Sequence, residues 1–187
     1  MIRTKTYAIS NNPEAIREAH RYLSTVLSKE EVEQYFKYVG RWIAISFWMG
    51  NPQKYHHRIV GFAAAEYYMN GARLMTRMFK GKEIRHNSKV SMQQDTYDIV
   101  HDQYKIAKSL NVDYVFMSRE KNPKSFINYK DQLDFIDWKI EEGRYLTGHG
   151  ETFKSSWQYI MWSPVAAGAQ LDLKAISKEE FNETFAN

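Results

Sequence analysis

Hydrophobic and polar positions repeat with two different periods along this chain, and the switches between them mark out its elements. Thr4 to Ile9 alternates weakly and reads as a first strand. Asn11, Asn12 and Pro13 then supply a cap and a proline suited to the first helical position, which predicts a helix from about Glu14 to Leu27. Ser28 followed by Glu31 is a capping-box pattern and opens a second helix through Tyr38. Arg41 to Trp48 is aromatic and β-branched enough for a strand, and Asn51-Pro52 marks the turn after it. Arg58 to Tyr68 is the next strand. Asn70-Gly71 is the dipeptide of a tight type I′ hairpin, from which Ala72 to Phe79 returns antiparallel.

After a basic loop, Ile99, Val100, Gln103, Ile106, Ala107 and Leu110 keep helical spacing, with Asp95 or Thr96 as the N-cap. Asp113 to Ser118 is a short strand of the buried type. Asn122-Pro123 starts a further helix that ends near Leu133, and strands follow at Phe135 to Ile140 and Trp157 to Trp162. No repeat, low-complexity tract or linker divides the sequence, so one domain over 1–187 is expected, with 166–187 as a C-terminal extension. The order of elements predicts an α/β (α+β) fold with a mixed sheet wrapped by helices.

Composition narrows the chemistry. There is no cysteine, which excludes disulfides, a thiolate nucleophile and a Cys-based zinc site. No apolar run approaches the roughly 20 residues of a membrane helix, and a cytoplasmic protein that uses no membrane is expected. The formal charge is +4 and the pI about 9.1, which favours contact with an anion. His56-His57 are neighbours that an extended segment points to opposite faces, and no His-x-x-x-His or His-Glu-x-x-His string occurs, so no metal site is predicted. P-loop, Rossmann and Gly-x-Ser-x-Gly strings are also missing.

Three local strings, together with the element order, resemble the GNAT superfamily of acyl-CoA N-acyltransferases. Ile59-Val60-Gly61-Phe62 is similar to the family's third strand; Asn122, Ser125 and Tyr129 sit at offsets 0, +3 and +7, like its Asn-x-x-Ala-x-x-x-Tyr helix start; and Phe135 stands near the aromatic that begins its next strand. The resemblance covers roughly residues 59 to 162. It implies a mostly antiparallel central sheet flanked by helices and the transfer of an acetyl group from acetyl-CoA to an amine acceptor, small or macromolecular, by direct attack in a ternary complex.

In such a site Tyr129 would face the cofactor sulfur and protonate the departing thiolate, a role suited to a phenol that stays neutral at pH 7; the other reading of Tyr129 is packing beside Tyr104 or Phe126. The resemblance places the donor between the strands ending near Met78-Phe79 and Ser118, with Asn122 and Ser125 beyond. The pyrophosphate loop is expected at Val90 to Thr96, where the family has Arg or Gln, two residues, Gly, one residue, then Gly or Ala. This sequence has no glycine there. Side chains of Ser91, Gln93, Gln94 and Thr96 replace the backbone contacts, or the donor is held differently, or no CoA is bound.

Glu66 and His86 are the candidate bases for the amine proton. Glu66 follows Ala63-Ala64-Ala65, which leave room beside the strand; it also reads as an edge carboxylate paired with Arg73 or Arg77. The basic run from Arg77 through Lys80, Lys82, Arg85, His86 and Lys89 suits the 3′-phosphate of CoA or a nucleic-acid backbone. Two alternative functions follow: a GNAT-like modifier of nucleic-acid bases, resembling phage Mom-type proteins, and a non-catalytic GNAT-shaped binding protein. A monomer or homodimer fits each of them.

Overall fold

The structure is a computed structural model and describes residues 3–9, 12–50, 58–81, 89–120, 133, 136–146 and 158–186. Among these, the strands are β1 (Arg3–Ala8), β2 (Trp42–Met49), β3 (Ile59–Tyr68), β4 (Gly71–Lys80), β5 (Tyr114–Glu120), β6 (Lys139–Gly143), β7 (Tyr145–Leu146), β8 (Gln158–Pro164) and β9 (Lys174–Ala175). The helices are α1 (Pro13–Val26), α2 (Lys29–Phe36), α3 (Lys89–Ser109) and α4 (Lys178–Ala186). A seven-stranded sheet runs β1-β2-β3-β4-β5-β8-β6, and β7 pairs with β9 separately. Among the described pairings β4 runs parallel to β5 and the others are antiparallel, so the sheet is mixed and mostly antiparallel, as expected. The chain divides into two compact units, Met1–Glu66 with Leu74–Ala107, and Tyr67–Arg73 with Lys108–Asn187.

In the first unit the helix signals act locally. Pro13 takes the start of α1, and both bonds of the Ser28/Glu31 capping box form at α2, with Ser28 N–H donating to Glu31 at 2.8 Å and Glu31 N–H donating to Ser28 Oγ at 3.2 Å. Ala15, Ala19 and Leu23 recur one helical turn apart and bury one stripe of α1 against Ile45, Phe47, Phe62 and Ala64. Each large apolar side chain so buried contributes about 1.5–3 kcal/mol. The β2 pleat sends Ile45 and Phe47 into this cluster. Ser46, between them, goes the other way.

On that other side lies a buried polar chain. Thr6 Oγ1 donates to Ser46 Oγ at 3.0 Å, Gln103 Nε2 donates to the same oxygen at 3.1 Å, and Met75 N–H donates to Gln103 Oε1 at 2.5 Å. Met75 has φ 49°, a backbone state that favours glycine, and its amide is caught by the Gln103 side chain from α3. Ile99, Val100, Gln103 and Ala107 are buried on α3, as the helical spacing predicts, while Leu110 is exposed.

In the second unit β5 pairs in register with β8, Phe116 opposite Trp162, and Asp113 O accepts from both Val165 N–H (2.8 Å) and Ala166 N–H (3.0 Å). Tyr68, Tyr114, Phe116, Ile160 and Trp162 form its core. Here the hairpin expectation needs correction. The turn residues are Met69 and Asn70, Met69 carries the positive φ of 53°, and Asn70 and Gly71 do not share it. Gly71 is needed for another reason: a Cβ there would overlap the edge of the Tyr114 ring.

A second correction concerns α3. It begins at Lys89, not at Asp95 or Thr96, so 90–96 are helical and no extended loop lies there. The physical reason is the same missing glycine: Val-Ser-Met-Gln-Gln contains no helix breaker, and Met and Gln are good helix formers. The strand expected over Phe135 to Ile140 is Lys139–Gly143. The helix expected after Pro123 lies outside the described residues apart from Leu133, which is buried.

Candidate functional site

The first unit holds an open cavity of about 810 Å³, within the range of ligand sites. Its residues come from β1, α1, β2, the start of β3 and the end of β4. The aromatic and aliphatic part is made by Tyr22, Phe47, Ile59 and Phe79, with Tyr22 and Phe79 meeting edge to face at 6.0 Å between ring centres. Charge comes from Lys5, Arg21 and Arg58 on one side of the balance and Glu18 on the other. Register explains the first of these: Lys5 pairs with Phe47, so both present to the same face.

Lys5 stays a cation with a margin. Its pKa is raised by its hydrogen bond to Tyr7 and its charge interaction with that phenol, and further by the Glu18 carboxylate, against a small penalty for burial. The ammonium sits 4.8 Å from the Tyr7 ring centre. Glu18, Arg21, Tyr22 and Thr25 follow one another at helical spacing beside the buried Ala15-Ala19-Leu23 stripe of α1. A strip of this kind is visible in the sequence once the buried stripe is known. None of Glu18, Arg21 or Arg58 was among the expected site residues.

Of those that were, Phe79 lines the cavity and is half-buried. Glu66 is fully buried, and its Oε1 accepts from Trp42 Nε1 at 3.2 Å. Its burial sets Glu66 in the core, and Glu18 is a carboxylate that lines the cavity. Thr96 is buried within α3. Met78 lies on β4, and Ser91, Gln93 and Gln94 lie in the first turns of α3. Ser118, on β5 in the second unit, has a buried hydroxyl with no hydrogen-bond partner among the described residues. Tyr129, His86, Asn122 and Ser125 lie outside the described residues, as do His56 and His57.

The start of α3 is the other place where chemistry gathers. The first N–H groups of a helix lack intrahelical acceptors and carry the positive end of its dipole, an arrangement that suits a phosphate. No acidic residue occupies the first turn of α3. Asp95, which would repel an anion at a helix start at that position, is displaced into the second turn. Among the described residues, no group of acidic and histidine side chains is arranged to hold a metal, and no helix is long and apolar enough to cross a membrane.

With this geometry in place, the chain can be set beside solved structures. It is similar to a GNAT-superfamily phosphinothricin acetyltransferase from Sinorhizobium meliloti in complex with AcCoA, with a TM-score of 0.51 and 11% identity, over 91% of this chain and 93% of that one. It is also similar to the ribosomal-protein-S18-alanine N-acetyltransferase from Escherichia coli, with a TM-score of 0.50 and 13% identity, over 91% of this chain and 99% of that one. The sequence matches no protein-family model and no curated relative. At these identities the likeness concerns the fold, and the fold is that of the GNAT acetyltransferases.

Proposed function

We propose that the protein is an N-acyltransferase that takes an acetyl group from acetyl-CoA and passes it to an amine. The observation that carries the reading is the likeness over 91% of the chain to an acetyltransferase in complex with AcCoA. The start of α3 fits the donor: no acidic residue stands in its first turn, and Arg85, His86 and Lys89 stand at or just before it in sequence. Lys89 and the first amides of α3 would hold the pyrophosphate, and Met78 and Phe79 on β4 belong to the same assignment. When bound, acetyl-CoA supplies an activated acetyl thioester. Tyr129 carries over the proton-donor role from its position in the Asn122, Ser125, Tyr129 spacing, and Glu18, a carboxylate lining the cavity, is our candidate to take the amine's proton.

Calorimetric titration with acetyl-CoA tests this directly. Micromolar binding is expected, and Lys89→Glu should weaken it by about tenfold by reversing charge at the helix start. Asp95→Ala should leave it within about twofold, because the dipole effect fades beyond the first turn. Tyr129→Phe should keep binding and lower turnover by about a hundredfold. Turnover is readable as released thiol with no protein background, since the chain has no cysteine. No binding at millimolar acetyl-CoA overturns the reading.

A further inference from the structure

Gln103 is wholly buried on α3, yet its amide is answered at both ends by strands of the same unit. Its Oε1 accepts from the Met75 N–H of β4 at 2.5 Å, and its Nε2 donates to Ser46 Oγ of β2 at 3.1 Å. Ser46 is buried as well, and the same hydroxyl takes a bond from Thr6 of β1 at 3.0 Å. One side chain of the helix therefore engages β4 directly, and β2 and β1 through a single oxygen.

The apolar residues that pack α3, Ile99, Val100 and Ala107, behave differently. Burial of apolar surface is non-directional, and neighbouring seatings of a helix on a sheet bury similar areas. A buried amide tolerates no such slide: moved by about 1 Å it leaves donors and acceptors unpaired in the core. That penalty selects one register, the best-attested use of a buried polar side chain. The backbone at Met75 also needs a partner, because its φ of 49° is one that L side chains rarely adopt.

The donor site proposed above has contacts on both sides of this joint. The first amides of α3 with Lys89 lie on one, and the stretch of β4 that carries Met78 and Phe79 lies on the other. We infer that Gln103 is a positioning residue: by fixing the register of α3 on β4 and β2, it fixes where the start of the helix stands relative to that stretch, and with it the bound donor. The inference rests on the acyltransferase reading for the identity of the ligand, and on the hydrogen bonds of Gln103 for the register.

The test compares two variants of the full-length protein. Gln103→Leu removes both bonds, whereas Ile99→Ala removes apolar contact one turn away on the same helix face and leaves them. Both lose stability, so a change confined to Gln103→Leu is no general result of destabilisation. Calorimetric titration with acetyl-CoA, where circular dichroism shows both variants folded, is expected to give affinity about tenfold weaker for Gln103→Leu and near the parent's for Ile99→Ala, since misplacing a binding group weakens its contact. A second readout needs no ligand. The chain has no cysteine, so Ser24→Cys on α1 and Lys105→Cys on α3, both exposed, are the only places that take nitroxide labels. The distance between the two spins should be narrowly distributed in the parent and in Ile99→Ala, and shifted or broadened in Gln103→Leu. Ser46→Ala, which removes one of the two bonds, should show the same changes at smaller size and replaces Gln103→Leu should the latter fail to fold.

An unchanged spin distance in Gln103→Leu overturns the inference, as does an equal loss of acetyl-CoA affinity in Ile99→Ala. A shifted distance in Gln103→Leu together with no acetyl-CoA binding by the parent upholds the register and removes the acyltransferase reading instead.

Discussion

Glu66 and Gln103 in the first unit contrast with Ser118, Trp138 and Trp162 in the second. In the first, Glu66 is met by the Trp42 indole, and Gln103 is met at both ends of its amide, by Ser46 and by the Met75 N–H. In the second, Ser118 Oγ and the indole nitrogens of Trp138 and Trp162 are buried without a partner among the described residues. An unpaired buried donor costs about 1–3 kcal/mol, whereas a paired one roughly repays its desolvation. Around Glu66 and Gln103 the core is thus specified by partners that must be present together, and around Ser118, Trp138 and Trp162 by packing that does not depend on those polar atoms.

The largest effect expected from this contrast comes from packing. Gly71→Ala drives a methyl against the edge of the Tyr114 ring and should destabilise by about 3 kcal/mol in urea unfolding, the upper part of the range for overpacking. Tyr114→Leu in the same chain should recover a measurable part, and a double-mutant cycle reads the coupling. No recovery would show that Gly71 is required by its own backbone and not by the ring.

Next comes the direct comparison of a paired and an unpaired group. Gln103→Leu strips an acceptor from Met75 N–H and a donor from Ser46 and should cost about 3 kcal/mol, whereas Trp162→Phe removes a nitrogen that bonds nothing described and should cost about 1 kcal/mol. Equal losses would erase the distinction between the paired and the unpaired group.

The smallest effect is electrostatic and belongs to the second unit. Burial raises the phenol of Tyr114, with the charges of Asp172, Tyr67 and Asp113 adding to it; burial also raises Tyr145, with Glu141 second. The unfolded chain ionises these phenols first, near pH 10. It therefore binds fewer protons than the folded chain above that pH, so this stability is complete below pH 10 and is lost as pH rises beyond it. Urea midpoints measured from pH 9 to 11 should fall, and Tyr114→Phe should flatten the fall.

Much of the fold was legible because its signals are short-range. Pro13, the Ser28/Glu31 box and the Ile99-to-Ala107 spacing each act within a turn or two, and each lies where the sequence places it. What failed was governed by residues distant in sequence. Asn70-Gly71 reads as a type I′ turn, but Tyr114 is what demands the glycine. Asp95 and Thr96 look like caps, yet nothing before them stops a helix until Lys89.

The site was less legible than the fold for the same reason. Glu66 sits beside small residues on a strand, which suggested room, and the room is filled by Trp42. Gln103 was visible only as one member of a helical stripe, without Ser46 or Met75 to give it a role. Lys5, Glu18, Arg21 and Arg58 share one cavity through the register of β1 on β2 and the pitch of α1. No local string announces that.

One helix illustrates what this arrangement permits over evolutionary time. On α1 the residues that anchor it, Ala15, Ala19 and Leu23, are distinct from those that look into the cavity, Glu18, Arg21, Tyr22 and Thr25. Drift along the second set changes the lining of the cavity without loosening the anchor, so a lineage built on this scaffold can alter that surface by substitution while its architecture stands still.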